Sequence, residues 1–406
     1  MGGVTTEKVS VKVLWTVGII VAAVACVVYL ALWGRRYGLD LEVYRAGIRE
    51  WATGGDPYGV TYTVHHLWYT YPPTSIVCLW PLSIADLSVT RIVVWFLSIV
   101  GVATTIAAFD PISNQRKWTR RRICSYIGCA CASVLIIQPV RSCVDYGQIE
   151  AILMALVAVD QLLVPKRHRG WLTGIAAAIK ITPLAFLLIF IVERNTRAAL
   201  RTVGTFAFLA LGMVLVAPRA SAQFWLHSLW STSKVGPVTF AGNQSLWAVA
   251  NRISDSRGAA EAVWVPLAFI SVVAAIGICK WYLRNESRPP AVFAIALVGL
   301  LCSPISWTHH WVWVVAVLPL LWRPCTYAIP GVIRCLMLFL VAISIAAPYW
   351  WFGAGIAASV GSAVLPVAGL ATLVTWRVLL WKADHRQTEL AHSGSRQASP
   401  QVLVRE

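Results

Sequence analysis

Apolar runs recur along most of this chain, and two of them, Val203 to Val216 and Ala291 to Leu301, carry hardly a polar side chain. Within a bilayer every backbone N–H and C=O must find its partner inside the chain, so such runs fit either helices or a closed barrel. Barrel strands alternate apolar and polar residues over about ten positions, and these runs do not alternate. The expected fold is therefore all-α, a polytopic bundle of transmembrane helices. With 58% hydrophobic and 13% charged residues, 406 residues offer too little polar surface for a soluble domain.

The net charge of +17 could suggest nucleic acid, but the basic residues sit in short clusters between apolar runs, where the positive-inside rule puts them. These are Lys8 and Lys12; Arg116, Lys117 and Arg120 to Arg122; Lys166, Arg167 and Arg169; Arg194, Arg197 and Arg201; Lys280, Arg284 and Arg288; Lys382 and Arg386. All are expected to be cytoplasmic, and no nucleic-acid partner is implied. Spans are expected at 12–33, 90–109, 123–139, 149–164, 171–193, 202–218, 263–279, 291–303, 311–322, 327–349 and 356–381. The run 171–193 is broken at Lys180-Ile181-Thr182-Pro183, because proline removes a backbone donor, and is read as two short helices. Thr74 to Ile84 is short and read as re-entrant; the alternative makes Thr74 to Leu87 a full crossing. The count is then about twelve crossings with both termini cytoplasmic. Residues 1–383 form one integral domain, and 384–406 a polar tail expected to be disordered.

In this orientation the unusual polar clusters fall on the extracytoplasmic side, where nucleotides are not supplied and activated groups travel on lipid phosphates. No P-loop and no Gly-x-Gly-x-x-Gly is present. Asp40 lies just past the first apolar run, well placed to meet a lipid-borne substrate and act as a general base. A helix cap, or pairing with Arg36 or Arg45, would explain it equally well. Lys180, a lone lysine in an apolar segment, is expensive there unless it meets an anion or reaches water, so it is a candidate for binding a phosphate; a snorkelling lysine is the plain alternative. His309 and His310 could bind phosphate, orient an acceptor or support Asp40, although interface packing is commoner for such a pair. Arg141 and Arg45 are further phosphate candidates. Gln148, Asn243 and Gln244 are candidate sugar hydrogen-bonding groups, or loop caps, and Tyr44, Tyr71 and Trp307 candidate stacking faces. No metal is called for: carboxylates are few and no Asp-x-Asp occurs.

Seven fragments occur in an order that resembles the actinobacterial family 87 glycosyltransferases of the C superfamily. They are Asp40-Leu41-Glu42-Val43-Tyr44-Arg45, Asp56-Pro57-Tyr58, Tyr71-Pro72-Pro73, Gly147-Gln148, Lys180-Ile181-Thr182-Pro183, Gly242-Asn243-Gln244-Ser245-Leu246 and Ser303-Pro304-Ile305-Ser306-Trp307-Thr308-His309-His310-Trp311. Two positions depart from the family pattern: Glu150 where asparagine is expected, and Trp247 where asparagine is common. The resemblance implies an integral plasma-membrane enzyme with Asp40 as catalytic base. It further implies a polyprenyl-phosphate mannose donor and a glycolipid or lipoglycan acceptor of the phosphatidylinositol mannoside or lipomannan type. Transfer would invert the anomeric centre, give an α-1,2 linkage and need no cofactor. The alternatives are a polyprenyl-phosphoarabinose-dependent enzyme of the same fold and a lipid or sugar transporter, which would distribute its polar groups through the membrane.

Overall fold

The computed structural model describes residues 4–32, 38–110, 119–231, 234–322, 325–352 and 355–397. They are almost entirely helical. The order is α1 (Val4–Leu32), α2 (Leu39–Ala52), a two-stranded antiparallel hairpin of β1 (Thr61–Tyr62) and β2 (Leu67–Trp68), α3 (Thr74–Cys78), α4 (Trp80–Ile84), α5 (Leu87–Phe109), α6 (Arg120–Ile136), α7 (Gln138–Asp145) and α8 (Glu150–Ala158). There follow α9 (Trp171–Ile179), α10 (Leu187–Val192), α11 (Thr196–Val216), α12 (Pro218–Leu226), α13 (Leu246–Ile253), α14 (Arg257–Arg284), α15 (Arg288–Cys302), α16 (Val317–Trp322), α17 (Gly331–Ala346) and α18 (Gly355–Gln397).

Among the described residues the apolar runs form helix, and fewer helices than the expected dozen crossings are long and apolar enough to span a bilayer singly. Among the described residues five helices are long and apolar enough to span a bilayer, and six if α6 and α7, bent by 88°, make one span. Among the described residues the other apolar helical stretches of 10–17 residues include Thr16–Leu32 within α1 and the 15-residue α15. Hydropathy marks apolar segments but not whether each one is long enough to cross. Arg36, Arg116 and Lys117 lie outside the described residues, as do the side chains of Lys8 and Lys12. The segment from Asp384, expected to be a disordered tail, continues α18 as far as Gln397, and 398–406 lie outside the described residues.

Helix starts follow local chemistry. The side chains of Asp86, Asn195 and Ser245 accept from Ser88 N (2.7 Å), Ala198 N (3.2 Å) and Ala248 N (3.0 Å), satisfying otherwise unpaired amides at the starts of α5, α11 and α13. Between apolar helices in lipid, close backbone approach replaces the hydrophobic drive. Gly101 on α5 supplies it, because a Cβ there would lie 2.5 Å from the Ala151 carbonyl oxygen on α8.

Three connections position the site. The sequence 180–183 breaks the run as expected: α9 ends at Ile179, Lys180 is extended (φ −147°, ψ 130°), and Thr182–Phe186 form a 3-10 turn. The turn after α7 receives α2, whose first amides, Asp40 N and Leu41 N, both donate to Tyr146 O (3.1 and 3.2 Å). That turn depends on Gly147 at φ +69°, where a Cβ would stand 2.7 Å from Leu41 Cβ. Gly147→Ala is therefore expected to cost about 1–3 kcal/mol. A thermal-unfolding curve that matches the parent would contradict this account of the turn.

A partly buried ionic cluster marks the far end of the same helices. Glu193 meets Arg288 at 2.9 Å and Lys166 at 3.3 Å, and Arg288 donates to Gln161 at 2.6 Å. Nearby, Asp160 accepts from Gly170 N at 2.9 Å and from Thr173 Oγ1 at 2.6 Å, a carboxylate at the positive N-terminus of α9.

Candidate active site

Asp40 sits in the first turn of α2, an amphipathic helix that follows the first apolar run. The helix sorts its charges by face. Glu42 points away from Asp40 and pairs with Arg91 on α5 at 2.9 Å. Asp40 instead accepts a hydrogen bond from Gln148. Burial pushes its carboxyl up to about 6, with the Gln148 bond and the Lys180 charge pulling partly back. A carboxylate of that strength takes a proton readily and is still ionised at neutral pH.

Gln148, 4% exposed, is the hub. Its Oε1 accepts from Tyr44 OH at 2.6 Å and from Tyr71 OH at 2.9 Å, and the two hydroxyls are 2.8 Å apart. With Oε1 so engaged, the amide NH₂ is the part left to donate to Asp40. The rings of Tyr44 and Tyr71 are buried edge to face, centroids 4.9 Å apart, so they hold Gln148 and Lys180 and do not present open stacking faces.

Beyond Tyr71 comes Lys180. Its ammonium donates to Tyr71 OH (3.2 Å), meets His310 Nε2 (3.0 Å), lies 5.0 Å from the centre of the Tyr71 ring and forms an ion pair with Glu150. The extended backbone at Lys180 turns the side chain out of the helix stack toward these partners. Glu150 also lies 3.3 Å from His310 Nε2. His309 is 5% exposed, and neither ring nitrogen has a hydrogen-bond partner. A buried imidazole in that condition calls for a ligand or water to complete it. Its ring stands 4.7 Å from that of His310 and 5.8 Å from Tyr146. Asp40, Gln148, Tyr44, Tyr71, Lys180, His309 and His310 thus converge from α2, the loop before α3, the turn after α7, the α9 break and the 308–316 segment.

The other sequence candidates stand apart. Arg45, 6% exposed, is held by Leu82 O and by Thr90 Oγ1 (2.7 Å). Arg141 lies within electrostatic reach of Asp145 and Tyr349. Asn243 spends its side chain on Val238 O (3.0 Å), Pro304 O (3.2 Å) and Ser306 N (2.9 Å), tying two loops together. Gln244 donates to Ala241 O (2.6 Å) while its Oε1 is buried without a partner. Trp307 bridges to Asn243 and packs on Phe240, centroids 6.0 Å apart.

Two spaces flank α2 and α8. A narrow cavity of about 60 Å³ has Glu150, Lys180 and His310 at its polar end and Met154, Phe186 and Trp313 among its apolar walls. A wider groove of about 550 Å³ lies along the other face of α2, between Arg45, Arg49, Glu42 and Glu50, and includes neither Asp40 nor Lys180. Among the described residues one set of side chains could hold a metal: Glu150, His309 and His310 bring ligand atoms within 4.8 Å of one another. The Lys180 ammonium already supplies positive charge to that carboxylate.

Chemically, the cluster offers a buried base at one end and a cation with hydrogen-bond donors at the other, the pairing needed to activate a hydroxyl and receive an anionic leaving group. Glu150 is the member that sequence reasoning missed. It was visible only as a departure from the family pattern, and its partner stands thirty positions further along the chain.

Comparison with known proteins bears on which chemistry this is. The chain is 31% identical over 321 residues, 74% of its length and 74% of the relative's, to a Mycobacterium tuberculosis polyprenol-phosphate-mannose-dependent alpha-(1-2)-phosphatidylinositol mannoside mannosyltransferase. A Mycolicibacterium smegmatis protein of the same description is 30% identical over 308 residues, covering 70% of this chain and 69% of the relative. A third, a Mycobacterium tuberculosis polyprenol-phosphate-mannose-dependent alpha-(1-2)-phosphatidylinositol pentamannoside mannosyltransferase, is 31% identical over 296 residues, 71% of this chain and 66% of the relative. No solved structure matches. The profile of glycosyltransferase family 87 matches residues 69–304, more than half the chain, with Tyr71, Gln148, Glu150 and Lys180 of the cluster inside the match, so this protein is a membrane enzyme belonging to glycosyltransferase family 87.

Proposed function

We propose that the enzyme transfers mannose from polyprenyl phosphate to a hydroxyl of a phosphatidylinositol mannoside or related lipoglycan, at the extracytoplasmic face, with inversion and formation of an α-1,2 linkage. The observation that carries this reading is the line from Asp40 through Gln148 and Tyr71 to Lys180. Asp40 takes the proton of the acceptor hydroxyl. The freed oxygen attacks the anomeric carbon, the bond from that carbon to the phosphate oxygen breaks, and polyprenyl phosphate departs toward Lys180. A single displacement needs one carboxylate and inverts the centre. Tyr71 and His310 steady Lys180, and the open nitrogens of His309 suit a sugar or acceptor hydroxyl.

The site's depth supports the assignment of faces. Glu150 and Asp160 lie on one helical stretch ten residues apart, about 15 Å, with the ionic cluster of Glu193, Arg288 and Lys166 at the Asp160 end. If that cluster faces the cytoplasm, the chemistry opens toward the other side.

The purified enzyme in vesicles is expected to move label from polyprenyl phosphomannose to phosphatidylinositol mannosides and to ignore GDP-mannose. Transfer from polyprenyl phosphoarabinose alone would replace the donor; transfer from GDP-mannose would overturn the reading.

Two further outcomes follow from the site. With Asp40 near 6 and required as the carboxylate, the rate should fall as pH drops through about 6. Gln148→Leu removes a bond that favours the ionised form, so the acid limb should move to higher pH; an unmoved limb contradicts the role of Gln148. Because Lys180 provides the positive charge beside Glu150, chelation of divalent ions should leave the rate unchanged. Loss of activity with EDTA, restored by magnesium or manganese, would instead make Glu150, His309 and His310 ligands.

A further inference from the structure

Away from the cluster around Asp40, α9 and α11 start at the same end of the molecule and run parallel in close contact. A Cβ on Gly170 would stand 2.3 Å from Ala198 O, and one on Gly174 2.7 Å from Thr202 O. Beside that seam lies a groove of about 570 Å³. Trp171 and Ile175 wall it on the α9 side, and Phe208 and Leu209 on the α11 side. Gly204 leaves its floor open, since a Cβ there would meet nothing within 4 Å. Arg201 stands at the end where both helices begin, and from it the groove follows α11 to Leu209 for about 12 Å. Trp171 and Phe208 are largely exposed on a span-length apolar helix pair, so the groove opens toward lipid.

Two polar groups in this apolar setting lack a partner that would complete them. Arg201 is partly buried and donates to Arg169 O at 3.1 Å, but among the described residues no carboxylate pairs with it. Glu193 is taken up by Arg288, Lys166 and Arg169, and Asp160 by Gly170 N and Thr173. A guanidinium beside lipid is costly unless it meets an anion or water. Arg197, one turn before Arg201, is exposed and adds positive charge at the same end. Thr205 lines the groove at 8% exposure, and its hydroxyl has no hydrogen-bond partner among the described residues. Thr202 on the preceding turn bonds back to Ala198 O at 3.0 Å, so Thr205 departs from the usual way a helix satisfies such a group.

We propose that the groove between α9 and α11 binds one anionic glycerophospholipid, with its phosphate at Arg201 and an acyl chain lying between Trp171 and Phe208. Charge and polarity match along its length. The headgroup phosphate supplies the anion that Arg201 lacks, an ester carbonyl supplies the acceptor that Thr205 lacks, and Trp171 stands where indole rings meet headgroups. A zwitterionic lipid fills the apolar part equally well but brings its own cation to an end that is already basic. Trp171 and Lys180 lie nine residues apart along α9, about 13 Å, so this phosphate position is separate from the one beside Lys180. The proposal therefore stands on the membrane setting and not on the transfer reaction.

The test is native mass spectrometry of the full chain released from nanodiscs of phosphatidylglycerol and phosphatidylcholine in equal amounts. Wild type is expected to retain one phosphatidylglycerol, about tenfold in preference to phosphatidylcholine, the scale of a hydrogen bond to a charged group. Arg201→Gln keeps a donor for Arg169 O but should bring that preference close to parity, and Arg201→Lys should keep most of it. Gly204→Leu fills the groove and should lower retention of either lipid. Leucine is the better helix former, so the melting temperature of this variant in phosphatidylcholine should not fall; a fall would contradict the open floor. Gly258→Leu, which adds the same side chain in equally open space on α14, should retain lipid as wild type does. No preference in wild type, or a preference that both Arg201→Gln and Gly204→Leu keep, overturns the proposal. Retention of polyprenyl phosphate in place of phosphatidylglycerol, when both are offered, overturns it too, by giving the groove to the donor's lipid.

Discussion

Asp40→Asn is expected to lower sugar transfer roughly thousandfold while donor binding persists, because it removes the base and keeps the shape of the side chain. The amide can still meet Gln148, so the junction between α2 and the turn after α7 is retained. Burial holds the Asp40 carboxyl above its ordinary range, to about 6, which means that the ionised form weakens the fold at higher pH. The sign for stability is therefore opposite to that for activity: above about pH 6 the variant should melt at or above the parent's temperature. A dead enzyme with a lowered melting temperature would point to misfolding, and transfer at the parent's rate would remove Asp40 from the mechanism. Glu42 makes a suitable control, since it is engaged with Arg91 on another face.

Lys180→Met should cost about a hundredfold to a thousandfold in rate, the usual scale for losing a group that stabilises charge developing in the transition state. The single variant also leaves the Glu150 carboxylate buried without its partner, which destabilises by about 3–5 kcal/mol. Pairing it with Glu150→Gln restores charge balance. The double variant is expected to regain most of the lost stability but not the rate. Recovery of both would show that Lys180 serves only to neutralise Glu150.

These two residues also show what could be read from the sequence. Asp40 and Lys180 stand out because charge is rare near or within apolar segments, and rarity of that kind survives without knowledge of the fold. Gln148 and Tyr71 were visible as polar residues beside turn-forming glycine and proline, and Tyr44 as part of the Asp40 fragment, although the sequence suggested stacking faces where the fold buries both rings. Asn243 and Arg45 were equally conspicuous, yet their partners are backbone groups and a threonine. An amide that ties two loops looks in sequence like one that binds a sugar. The Glu150 pairing with Lys180 was illegible, because nothing local tells which of several buried groups a carboxylate will face. Helix α2 was hidden by its charge: its 14 residues alternate faces toward Arg91 and toward Gln148, a pattern that only packing explains.

The most direct test of the central claim is a cryo-electron-microscopy structure of Asp40→Asn in nanodiscs with polyprenyl phosphomannose. The phosphate should lie within hydrogen-bond distance of Lys180 Nζ, with the anomeric carbon between it and residue 40. A phosphate lodged instead in the groove along α2 beside Arg45 and Arg49 would contradict the account.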